Sequence, residues 1–215
     1  MTRRLAMLSV LPALLLLALP AAAADQRAQR IAPADLRKEM RRLWEDHVTY
    51  TAFFYQAAIR GDPGASAILD RLLRNQDDIG NAVKPYYGDQ AGHKLASLLR
   101  DHITIAGDVV KAAKANDSAA LQEANDRWYK NADDLAALLS SANPSWPRST
   151  LQDALHEHLK MVTDQVVATL HQDTAAWIKA YDEGAKHMLD VADILASGIV
   201  KQFPKKFSGT HVASR

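Results

Sequence analysis

The chain has 215 residues, 26 lysines and arginines against 25 aspartates and glutamates, and no cysteine. A near-balanced charge without a concentrated basic face argues against a nucleic-acid partner. The missing cysteines exclude disulfides, thiolate metal sites and cysteine nucleophiles. With 48% apolar residues there is material for one well-buried core of domain size.

Arg3 and Arg4 precede an apolar run from Leu5 to Leu19, and Pro20 and Ala21 to Ala24 follow it. A short basic start, an apolar centre and a small-residue end describe a cleavable secretory signal over residues 1–24. The run is shorter than the roughly 20 residues a membrane span needs. The expected organisation is a linker over 25–32, a helical domain over 33–204 and a flexible tail over 205–215. The expected location is the periplasm or the outside of the cell.

Pro33 suits the first turn of a helix, where its missing N–H costs nothing. From Leu36 through Met40, Leu43, Trp44, Val48 and Tyr55 to Ile59, apolar residues recur every three or four positions, with His47 in the middle. Gly61, Pro63 and Gly64 end this first helix. A second carries Ile68, Leu72, Ile79 and Val83 with Asn75 in line, and Pro85-Tyr86-Tyr87-Gly88 closes it. The third runs through Leu95, Leu99, Ile103, Ala106 and Val110 around His102. Asn116-Asp117-Ser118 supplies a turn and an N-cap. The fourth presents Leu121, Trp128, Leu135 and Leu139 around Asn131, and Asn143-Pro144-Ser145-Trp146-Pro147 breaks it. Ser149 and Gln152 form a capping-box pair for the fifth, whose stripe of Leu151, Leu155, Leu159, Val162 and Val166 includes His158. Asp173 is placed to cap a sixth, with Trp177, Tyr181, Met188, Val191 and Leu195 around His187. No Gly or Pro separates the fifth from the sixth, so the two are either joined by a turn or fused.

Two phrases repeat. Leu43-Trp44-Glu45-Asp46-His47-Val48 recurs as Leu98-Leu99-Arg100-Asp101-His102-Ile103 and as Ala154-Leu155-His156-Glu157-His158-Leu159, at steps of 55 and 56 residues. Asn75-Gln76-Asp77-Asp78 recurs 56 residues on as Asn131-Ala132-Asp133-Asp134, and again as His187-Met188-Leu189-Asp190. The expected fold is therefore all-α, an antiparallel bundle of about six helices built from three repeated hairpins.

Antiparallel neighbours of similar length share a midplane, so six polar stripe positions fall near one level: His47, Asn75, His102, Asn131, His158 and His187. Asp78, Asp134 and Asp190 lie one helical turn from the second set. Bundle interiors build metal and cofactor sites from such facing side chains. The expected site takes His47, His102, His158, His187, Asp78, Asp134 and Asp190 as ligands or orienting groups for a transition-metal ion (zinc, iron, copper or manganese) or a metal-bearing cofactor, with Asn75 and Asn131 as polar partners. A closed bundle would make these residues converge, whereas an open solenoid would line them along one surface.

The competing reading is a buried polar layer that only fixes packing, inside a non-catalytic binding or adaptor protein of the cell envelope. Repetition does not decide between the two, because a structural His–Asn pair is copied as faithfully as a ligand. A di-iron carboxylate centre needs Glu-x-x-His pairs, which the stripes lack, and haem would be held by histidine alone without Cys-x-x-Cys-His. There is no glycine-rich phosphate loop, no His-Glu-x-x-His and no Gly-x-Ser-x-Gly, so no catalytic residue is assigned and binding is favoured over catalysis.

The phrases Leu43-Trp44-Glu45-Asp46-His47, Asn75 to Asn81, Asn131-Ala132-Asp133-Asp134, Asn143-Pro144-Ser145-Trp146 and Lys201-Gln202-Phe203-Pro204 together resemble a group of small exported bacterial proteins. The resemblance spans almost the whole chain after the signal. It implies export and a helical fold, and it assigns no activity.

Overall fold

A computed structural model describes residues 31–208. The expected signal peptide and most of the linker, as well as residues 209–215 of the tail, lie outside the described residues. Five helices follow one another: α1 (Pro33–Arg60), α2 (Ala65–Ala115), α3 (Ser118–Ala142), α4 (Arg148–Leu170) and α5 (Thr174–Gln202), then a short 3₁₀ turn over Pro204–Lys206. Among the described residues there is no strand, only an isolated bridge between Ile31 and Phe207.

About six helices are expected from the sequence and five elements are found, because the second and third expected helices run on without a loop as the two arms of α2. It contains one non-helical residue, Gly88, with φ 83° and ψ 168°. That backbone region is essentially reserved for glycine, and the chain reverses there. Gly80 and Gly92 would be about 18 Å apart along a straight helix, yet a Cβ on Gly80 would come within 2.6 Å of the Gly92 carbonyl oxygen. Further from the bend, Arg100 on one half reaches the carbonyl of Leu73 and the carboxylate of Asp77 on the other. A pair of glycines is what lets the two halves approach so closely.

The fifth and sixth expected helices are separate. Asp173 caps α5 by accepting from the Ala176 N–H at 2.9 Å, and Asp117 caps α3 in the same way from Ala120 at 3.0 Å. The expected Ser149–Gln152 capping box is absent. α4 begins after Pro147, and Gln152 instead donates to Asp133 across to α3. With Pro147 at the N-cap the box has no place to form.

Each helix packs on its neighbours in sequence, and α5 returns to α1, so the ring closes. Arg37 and Arg41 of α1 share the carboxylate of Asp193 on α5 across that last seam. One core results, with Leu43, Leu72, Ile103, Leu135, Leu159, Met188 and Ile199 almost wholly buried. The bundle also ends later than expected: Phe207 is buried and stacks on Tyr86, and the Ser208 N–H donates to the Ile31 carbonyl. Buried Phe207 and the Ser208–Ile31 bond therefore tie the two ends of the described chain together at the bundle. Burying one Phe of this kind gives roughly 2 kcal/mol of reason to stay packed. Among the described residues no helix is long and apolar enough to cross a membrane.

Candidate functional site: a buried histidine layer

Closure of the ring brings three of the expected ligands together. His47, His102 and His158 are 1%, 3% and 5% exposed. The His158 ring is next to both others, with centroids 5.7 Å from His47 and 6.1 Å from His102.

The same kind of bond recurs beside each layer histidine. Asn75 Nδ2 donates to the Leu43 carbonyl at 2.9 Å, Asn131 Nδ2 to the Leu98 carbonyl at 3.0 Å, and His187 Nε2 to the Ala154 carbonyl at 2.8 Å. In every case the acceptor stands four residues before the histidine, at 43, 98 and 154. The 56-residue sequence period thus reappears as one hydrogen bond made three times.

Those bonds fix the imidazole tautomers. With its amide N–H₂ on Leu98, Asn131 turns Oδ1 toward His102, whose Nδ1–H donates to it at 2.8 Å. Around His47 the partner is Gln76 and not Asn75. Gln76 Nε2 donates to the Leu72 carbonyl and to Asn75 Oδ1, so its Oε1 is left to accept from His47 Nδ1–H at 3.3 Å. An imidazole that carries its proton on Nδ1 has a bare lone pair on Nε2. His47 and His102 are both held in that form.

The layer is dry. One turn to one side lie Trp44, Leu99 and Leu155, and one turn to the other lie Thr51, Ala106 and Val162, all buried. Burial is the main reason the His47 pKa falls from 6.5 to about 3, with the neighbouring His102 adding to the fall and the Gln76 bond opposing it. Burial likewise lowers His102 to about 4 against the Asn131 bond. His158 is held well below the ordinary value, first by burial and then by His47, His102 and His187 around it. At neutral pH the layer is therefore uncharged.

The other expected ligands lie elsewhere. His187 is half-buried beside His158, with Nε2 committed to the Ala154 carbonyl. Asp78, Asp134 and Asp190 are exposed and do not join the layer. Asp134 pairs with Lys130 and Asp190 with Lys186, both at 2.7 Å along their own helix, and Asp78 sits near Arg42. The physical reason is helical geometry: a position three beyond the stripe residue sits at the margin of the stripe. The lysine four residues ahead of Asp134 and of Asp190 marks that margin as solvent-facing. His156, the only histidine with an acid three residues before it, is half-exposed and bonded to Asp133 outside the layer. Among the described residues no group of three or more histidines, aspartates and glutamates is placed so that it could hold a metal ion.

Gln76 is the functional neighbour that sequence reading misses. Its counterpart in the next copy is Ala132, so comparison of the copies hides it. Trp44 and Trp128 are also more than core. Their rings pack on His47 and His102 at 5.4 Å, and both indole Nε1 atoms are buried without a partner. A second buried polar chain, Trp177 to Tyr55 to Gln165, lies two turns beyond His47 and is internally satisfied.

No protein-family model matches the chain, and no curated protein and no solved structure matches it either.

Proposed function

We propose that the protein binds a first-row transition-metal ion through His47, His102 and His158, in an exported bundle of three repeated helical hairpins. The observation that carries this reading is the fixed tautomer pair. Gln76 and Asn131 hold the two Nδ1–H groups, as outer partners of ligating histidines do, and leave two Nε2 lone pairs in a dry interior beside a third imidazole. Three imidazoles on a tetrahedral ion at about 2.0–2.1 Å have ring centroids roughly 5 Å apart. His158 is 5.7 Å from His47 and 6.1 Å from His102, so binding requires the rings to move inward. An all-imidazole set suits zinc, copper and iron, and with the aspartates at the surface the case for manganese falls away. His187 and Asn75 then belong to the frame that sets helix register. Export, indicated by Leu5 to Leu19, would deliver the site to the periplasm or beyond.

One observation favours a second reading, a cell-envelope adaptor with a purely structural layer: the bonds of Asn75, Asn131 and His187 to helix carbonyls need no metal. Metal content separates the two. Protein expressed from the full sequence and purified from the periplasm, without affinity tag or chelator, is expected to carry about one equivalent of a single metal. The variants His102→Ala and His158→Ala are expected to carry less than a tenth of that. A folded wild-type protein that is empty and cannot be reloaded with zinc or copper would establish the adaptor reading instead.

A further inference from the structure

Charge that is balanced along the chain is segregated in the fold. The start of α1, the Gly88 bend of α2, the α3–α4 turn and the last turn of α5 share one end of the bundle. Contacts tie them together. The Ser208 N–H donates to the Ile31 carbonyl, Tyr86 packs on Phe203 and Phe207, and Tyr87 donates to Gln202 and accepts from Asn143.

Seven bases without a carboxylate partner lie at this end, each within six residues of its helix terminus or of Gly88. α1 supplies Lys38, the two arms of α2 supply Lys84 and Lys94, and Arg148 opens α4. Lys201 lies in the last turn of α5, and Lys205 and Lys206 follow in the 3₁₀ turn. All but the half-buried Lys84 are exposed. Among the described residues none of the seven is in an ion pair. Lys84 meets His93, and Lys206 donates to the Pro85 carbonyl. Against them stand Asp35, Asp89 and Asp153, which leaves an excess of four positive charges, since Arg37 is neutralised by Asp193. By the same measure the opposite end has Arg60, Lys111 and Lys114 against Asp62, Asp70, Asp117, Glu123 and Asp173, with Lys179 paired to Glu183. That end is net negative.

The basic end also shows apolar side chains. Ile31 is 41% exposed, and Tyr86 and Phe203 are only half-buried. Lysines beside exposed aliphatic and aromatic groups match the boundary between anionic headgroups and acyl chains. The apolar run Leu5 to Leu19 joins the bundle at the same place, through residues 20–30 to Ile31. During export this end is therefore the part of the bundle tethered nearest the bilayer. We propose that it docks on an anionic phospholipid surface, with the lysines on the headgroup phosphates and Ile31 at the interface. The proposal takes export as its premise and does not involve the histidine layer, so it stands or falls apart from the metal reading.

The test is flotation of the protein, expressed from the full sequence and purified from the periplasm, with phosphatidylcholine vesicles containing roughly 30% phosphatidylglycerol. It is expected to float with them at about 50 mM salt and to be released at about 0.5 M. Pure phosphatidylcholine vesicles should leave it behind. Lys201→Glu combined with Lys205→Glu changes two exposed side chains that make no hydrogen bond in the fold, so it folds like wild type. At about fivefold per base it binds at least about 25-fold more weakly. Arg60→Glu combined with Lys111→Glu makes the same net change at the opposite end and should bind like wild type. Four results would overturn the proposal: no flotation, equal flotation with neutral vesicles, equal loss in the two double variants, or a DNA duplex bound as tightly as the vesicles at equal phosphate. The last would identify a general polyanion surface.

Discussion

Metal-free protein is expected to unfold cooperatively on acidification, with a midpoint near pH 4–5 and uptake of about three protons. In the folded state His47 and His102 titrate at about 3 and about 4, and His158 also lies well below 6.5. In the unfolded chain each titrates near 6.5. The unfolded state therefore binds more protons throughout the interval between those values. Stability is fully present above pH 6.5 and falls as the pH drops through the window toward 4. Each such histidine contributes about 1.4 kcal/mol per pH unit inside the window, so three together remove roughly 4 kcal/mol per unit. Two units of that slope remove roughly 8 kcal/mol, more than the whole stability of a domain in the lower part of the usual range of about 5–15 kcal/mol. Circular dichroism against pH, with proton uptake from the pH dependence of urea midpoints, reads the effect. His158→Gln should lower the uptake by about one. A protein that stays folded to pH 3 would mean that the layer is open to water.

Asn131→Leu is expected to destabilise the fold by about 2–4 kcal/mol, because it removes the acceptor of His102 Nδ1–H and leaves that donor buried and unpaired. For a domain of this size the melting temperature falls by roughly 5–15 °C. The volume change is small, so the loss reports the polar network and not a cavity. Gln76→Leu should behave alike around His47, whereas Lys130→Ala, which breaks an exposed pair on the same helix as Asn131, should cost well under 1 kcal/mol. Equal effects of Asn131→Leu and Lys130→Ala would show that His102 does not depend on its amide partner.

Much of this molecule is legible in its sequence. The three-and-four spacing marks the helices, and the repeat places His47, His102 and His158 at one level. The bond that gives the repeat its physical meaning runs from Asn75, Asn131 or His187 to a backbone carbonyl, and no side-chain pattern points to an acceptor of that kind. The aspartates mislead, since conserved spacing within the repeat places them beside the stripe but cannot turn them inward. Lys130 and Lys186 are the signal that they face water. Gly88 reads as a helix stop, and it acts as one residue of reversal inside α2. Gln76 stays hidden because the amide that holds His47 comes from the position next to the repeated asparagine. Phe207 stands outside any helical stripe, so nothing in the sequence pattern points to its burial against Tyr86.

The histidine layer itself is tested most directly by long-range proton–nitrogen correlation spectra of the imidazoles at pH 7, before and after one equivalent of zinc. His47 and His102 are expected as neutral Nδ1–H tautomers with bare Nε2 atoms, and zinc should move the Nε2 resonances of both, together with one nitrogen of His158. If His47 and His102 carry their protons on Nε2, or if zinc leaves all three rings unchanged, the layer is structural and the metal reading is wrong.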